Sequence, residues 1–158
     1  LNSPIKRFHS AISIRPGILR FVKKMTEDNT SPTDRKRVLI VDDDAEIVEA
    51  VRYALQAAGY DVSVARDGNQ GLAMAETLDP DLLILDMMMP KRSGFLVLEK
   101  IRRSDSDVVP VIMITANEGS RHQAYAEMLG VNDYIKKPFA MDRLIDSVNK
   151  LITQGSDG

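Results

Sequence analysis

"VLIVDDDAEIVEAV" (residues 38–51) runs an apolar segment into three adjacent carboxylates, Asp42, Asp43 and Asp44, and then turns helical. Ile47, Val51, Ala54, Leu55 and Ala58 recur at helix spacing, and Gly59 is placed to stop that helix. A short apolar strand feeding straight into an amphipathic helix reads as one βα unit. Side-by-side carboxylates repel one another, so their place at the strand tip needs a reason.

The unit recurs outward from there. Strands are predicted at "RVLIV" (37–41), "DVSVA" (61–65), "DLLILD" (81–86), "VPVIMIT" (109–115) and "DYIKK" (133–137). Three of them are nearly continuous Val/Ile/Leu/Met runs, as expected of parallel strands covered on both faces. Between them, helices are predicted over residues 71–77, 95–103 and 120–129, the last stopped by Gly130. Leu144, Ile145, Val148, Leu151 and Ile152 stripe a fifth helix. Five such units predict an α/β fold, a doubly wound five-stranded parallel sheet with five helices.

The 158 residues suffice for one domain with a proper core. Apolar and charged contents of 44% and 28% are those of a globular protein. Without cysteine there is no disulfide framework and no thiolate metal site. No apolar run approaches the roughly 18 residues of a membrane span. Net charge is −2, unevenly spread. Residues 1–24 carry Lys6, Arg7, Arg15, Arg20, Lys23 and Lys24 and no acid, leaving 15 basic and 23 acidic residues, a balance of −8, in the remainder. So acidic a body is not expected to bind nucleic acid directly.

In open α/β sheets, ligands bind beyond the carboxyl ends of the strands. Here those ends are Asp42 and Asp43, Asp86, Thr115 and Lys137. Clustered carboxylates call for a counter-charge, and all-oxygen ligands suit Mg²⁺ or Mn²⁺. A metal with open positions is a place for a phosphoryl group, with Thr115 and Lys137 placed to hold its other oxygens. A carboxylate can itself attack phosphorus.

The motifs "VLIVDDD", "LILDMMMPKRSG", "MITAN" and "DYIKKPF", in that order, resemble the receiver domain of bacterial two-component response regulators, of the chemotaxis-regulator type. The resemblance covers residues 36–153. It implies a flavodoxin-like sheet of order 2-1-3-4-5 and a Mg²⁺-dependent switch, phosphorylated on Asp86 by the phosphohistidine of a sensor histidine kinase or phosphotransfer protein. Asp43 and Asp86 would bind the metal directly, with the Met88 backbone carbonyl, and Asp42 through water. Thr115 and Lys137 would grip the phosphoryl group, with a cis bond at Lys137–Pro138. Thr115 and Tyr134 would form the switch, and Met88 and Asn117 would tune the lifetime of the phosphorylated state. Such a domain is not a conventional enzyme, but it catalyses its own phosphorylation and dephosphorylation. It acts in the cytoplasm on a downstream protein through the face made by the fourth helix, fifth strand and fifth helix, or through a phosphorylation-dependent dimer.

Each residue also has a plainer reading. Asp44 is assigned to capping the first helix. Met87, Met88 and Met89 suit core and loop better than a soft-metal site, and Lys136 suits a solvated face. His9 and His122 are far apart in sequence, and His122 is expected on a helix surface. A pseudo-receiver, an interaction module without phosphorylation, is the alternative function, yet no acid or lysine of the set is missing. An NAD-dependent dehydrogenase would need G-x-G-x-x-G after the first strand. A flavin carrier would need a phosphate loop where the acids stand. A phosphatase of the haloacid dehalogenase type would need an acid where Met88 stands.

Residues 26–35, "TEDNTSPTDR", read as a polar linker, so residues 1–35 form a basic extension plus linker. The simpler reading of the head makes Met25 the true start. The alternative is a transit-peptide-like segment with Ile18, Phe21, Val22 and Met25 on one face. Residues 154–158 read as a tail, and the chain as either a stand-alone regulator or a receiver excised from a transcription factor or hybrid kinase.

Overall fold

The computed structural model describes residues 34–104, 109–116 and 119–156. The basic head, most of the linker, the last two residues and Asn117 lie outside the described residues. The elements alternate without exception: β1 (Arg37–Val41), α1 (Ala45–Ala57), β2 (Asp61–Ala65), α2 (Gly68–Leu78), β3 (Leu82–Asp86), α3 (Gly94–Arg103), β4 (Val111–Thr115), α4 (Ser120–Met128), β5 (Asp133–Lys136) and α5 (Met141–Gln154). All strand pairs are parallel, in the order β2-β1-β3-β4-β5. The strand runs and the five helices are thus those expected from the sequence.

The pleat sends alternate residues to two cores. Val38, Ile40, Leu82, Ile84, Ile112, Ile114 and Ile135 pack with α1 and α5, through Val48, Val51, Leu55, Leu144, Val148 and Ile152. Leu39, Val41, Leu83, Leu85, Val111 and Met113 pack on the opposite side with Val97 and Leu98 of α3 and Ala126 of α4. Covering on both faces explains why β3 and β4 read as unbroken apolar runs.

Most differences from the sequence reading lie at element ends. Helix α2 begins at Gly68, three residues before the expected start, because Asp67 caps it by accepting from the Gln70 N–H at 2.9 Å. Glycines at 68 and 71 lower local helix propensity and hid that first turn. They are there for packing: a Cβ on Gly71 would lie 2.5 Å from the Val41 side chain. His122, expected on a helix surface, is half-buried rather than fully exposed. Its ring stacks on Phe95 with centroids 6.0 Å apart, and its Nδ1 is buried.

The loop after β3 turns back sharply. The Gly94 N–H donates to the Met87 carbonyl at 2.9 Å, and a Cβ on Gly94 would lie 2.2 Å from the Asp86 carbonyl oxygen. Alanine is the better helix former by about 1 kcal/mol, so Gly94→Ala should stabilise if propensity ruled. We expect a net loss of about 1–3 kcal/mol from the forced backbone shift, read from the urea unfolding midpoint.

Candidate functional site

Register brings the acids together. Val41 lies opposite Leu85 in the β1–β3 pair, so Asp42 and Asp86 stand level at the carboxyl ends of the two central strands. Asp86 lies opposite Ile114, and Thr115 opposite Lys136. Lys137 follows at once, its backbone N–H donating to the Thr115 carbonyl at 2.8 Å. The Lys137–Pro138 bond is cis.

The three acids divide their work. Asp44 caps α1, its Oδ1 accepting from the Glu46 and Ile47 N–H groups at 3.0 and 3.2 Å. Asp42 is wholly buried, and its Oδ1 accepts from the Asp44 N–H at 2.9 Å. Asp43 is exposed. Asp42, Asp43 and Asp86 each offer a carboxylate oxygen within 4.8 Å of the others. This all-oxygen set, open to solvent through Asp43, fits a hard divalent cation such as Mg²⁺.

One counter-charge is already built in. Lys137 Nζ stands 2.9 Å from Asp42 Oδ2 and 3.6 Å from Asp86 Oδ1. Sequence reasoning assigned the acids' relief to a metal alone and missed this pair. Only the parallel register joins residues 95 positions apart, and no local signal marks it. Asp86 remains the least comfortable of the group. Burial first, and then the charge of Asp42, pushes its pKa up to about 6, against the opposing pull of Lys137.

The remaining expected residues are distributed around this cluster. Met87 is buried in the core, Met88 exposes 64% of its surface, and the Met88 N–H sits 3.5 Å from Asp86 Oδ1. Thr115 is fully buried at the end of β4. Tyr134 packs against the core beneath α3 and α4. Its hydroxyl is buried without a hydrogen bond of full geometry. Burial raises the phenol's pKa, and the nearby Thr115 side chain opposes that shift. Lys136 is exposed, as expected.

Residues 38–149 match the family model for the response regulator receiver domain. The DNA-binding dual master transcriptional regulator RpaA of Synechocystis sp. is 40% identical over 117 residues, covering 73% of this chain and 48% of that protein. The alkaline phosphatase synthesis transcriptional regulatory protein PhoP of Bacillus subtilis is 40% identical over 105 residues, covering 66% and 43%. This chain spans about half the length of these curated relatives. Among solved structures, the receiver domain of the Francisella response regulator 1452 matches with a TM-score of 0.73 at 31% identity, covering 77% of this chain and 99% of that one. A CheY-like receiver domain protein from Methanospirillum hungatei matches with a TM-score of 0.73 at 30% identity, covering 78% and 99%.

The folded state holds the Asp86 proton more tightly than the unfolded chain does, so ionised Asp86 costs stability above about pH 6. That cost is relieved as pH falls from there toward the unfolded value of about 3.9. In metal-free buffer at neutral pH, Asp86→Asn should raise the unfolding free energy by on the order of 1–3 kcal/mol. The gain should fade in urea titrations carried down through that pH range.

Proposed function

The chain belongs to the response regulator receiver family, and from that premise we propose that Asp86 accepts a phosphoryl group from the phosphohistidine of a sensor histidine kinase or phosphotransfer protein, in a reaction that requires Mg²⁺. The observation that carries this reading is the convergence of Asp42, Asp43 and Asp86 on one point with Lys137 beside them. An Asp86 oxygen attacks phosphorus in line. The P–N bond breaks, and its electron pair stays on the departing imidazole nitrogen. Water later attacks the aspartyl-phosphate, returning the carboxylate and inorganic phosphate. Asp43, Asp86 and the Met88 carbonyl would hold the metal directly, and Asp42 through water. When bound, Mg²⁺ (Mn²⁺ is the substitute) screens the charge between the carboxylate and the incoming phosphoryl oxygens. Lys137, through its ammonium, and Thr115, through its hydroxyl, would hold the other phosphoryl oxygens.

The switch follows from the same residues. The Thr115 hydroxyl turns toward the phosphoryl group, and Tyr134 moves into the space it leaves. That biases the face formed by α4, β5 and α5 between two states, which a downstream protein or a second phosphorylated copy reads. In this reading DNA contact by residues 36–153 is disfavoured by their acidic balance. The reading assigns the protein to the cytoplasm. Among the described residues, no helix is long and apolar enough to cross a membrane.

Incubation with Mg²⁺ and a small phosphodonor should add one phosphoryl group, detected by intact mass. Asp86→Asn should abolish it, and omission of the metal should suppress it. A pseudo-receiver would gain no mass under any of these conditions. Met88 cannot orient water by hydrogen bonding, so the phosphorylated state should decay slowly. Met88→Asn should shorten the lifetime of the radiolabelled protein, and a wild-type half-life of seconds would contradict this assignment.

A further inference from the structure

The loop between Asp86 and Gly94 is anchored from outside as well as from within. Lys91, at its turn, has a φ of +67°, a left-handed conformation uncommon for a residue with a side chain. Its Nζ lies 3.0 Å from Asp67 Oδ2, on a carboxylate that is mostly shielded from solvent. Asp67 is also the N-cap of α2. Next to it, Arg92 Nε donates to Asn69 Oδ1 at 2.9 Å. Between these two polar contacts the backbones almost touch: a Cβ on Gly68 would lie 2.2 Å from the Arg92 carbonyl oxygen. An exposed ion pair alone would hold little. Three contacts from three consecutive residues, 67–69, converge on two loop residues, 91 and 92, and leave the loop few places to go.

We propose that the first turn of α2, through Asp67, Gly68 and Asn69, is a positioning clamp that fixes the Lys91–Arg92 turn and thereby sets where the Met88 backbone stands relative to Asp86. None of the three clamp residues reaches the acid cluster, so they act through the loop. The clamp rests on the proposed Mg²⁺ site, because Met88 is the ligand it would place. It assigns a role to a helix start that no strand-end census would select. It also accounts for the glycine at position 68: any side chain there would push the turn, and Met88 with it, away from α2.

The test compares Mg²⁺ binding by calorimetry with amide hydrogen exchange of residues 87–93 in metal-free buffer. Lys91→Gly removes the ion pair while relaxing the left-handed backbone, so it should fold normally. Asp67→Ser combined with Asn69→Ala keeps an N-cap oxygen but removes both polar contacts. Gly68→Ala strikes the close backbone approach, and the other two variants stand in for it if it fails to fold. Weakening of Mg²⁺ binding by roughly tenfold, the scale expected for groups that orient metal ligands without touching the metal, together with faster exchange over residues 87–93, is the expected result. Wild-type affinity in the folded variants overturns the clamp and leaves the Mg²⁺ site intact, even if exchange has quickened. Absence of Mg²⁺ binding by the unaltered chain overturns the site and the clamp together.

Discussion

A fully buried carboxylate without a partner costs several kcal/mol, and Asp42 is fully buried. Lys137 supplies the partner at 2.9 Å, and much of the architecture serves to deliver it. The lysine comes from the end of the edge strand β5, separated from β1 by two strands. It reaches across only because β3 and β4 lie parallel and in register between them. Its backbone N–H is fixed to Thr115 on β4, so the stem begins from a defined place. Asp42 in turn ties down the backbone N–H of Asp44, whose side chain caps α1. One ion pair thus links the last strand to the first helix through the acid cluster.

The pleat then separates two tasks. Residues 38, 40, 82 and 84 face α1 and α5, and by the two-residue period Asp42 and Asp86 continue that side. Thr115 continues the other, in phase with Val111 and Met113, and Tyr134 packs there. The acid cluster therefore sits toward one helical layer and the Thr115–Tyr134 pair toward the other. The ends of β3 and β4 stand between the two. Thr115, level with the residue after Asp86, is the side chain that adjoins Tyr134.

Sheet order apart, which came from family resemblance, the fold was legible because its signals were redundant. "LLILD" and "VIMIT" could hardly be anything but covered strands, and Gly59 and Gly130, both at positive φ, end α1 and α4 where expected. The site was legible as a set of strand-end residues, since parallel order alone puts strand ends on one edge. What could not be read was pairing across the set. The Lys137–Asp42 contact depends on side-chain reach after the sheet has formed. The early start of α2 was hidden because Gly68 and Gly71 are there for close packing against Arg92 and Val41, and close packing and helix propensity make opposite demands on those positions.

Asp86 shows why such a site stays unsettled by design of its surroundings. Burial and Asp42 both disfavour its charge, yet with a pKa of about 6 it is still mostly ionised at neutral pH. A lower value would follow from one more hydrogen bond or a closer cation. At 3.6 Å, Lys137 is near enough to moderate the charge and too far for a good hydrogen bond to Asp86. The lysine is committed to Asp42 instead. The result is a carboxylate that is charged, under-solvated and only loosely held, by the Met88 N–H at 3.5 Å and Lys137 at 3.6 Å, with its stability cost carried by the apolar strands behind it. Any positive charge that came to rest beside it would lower the cost of its ionisation, because burial and Asp42 are what raise that cost.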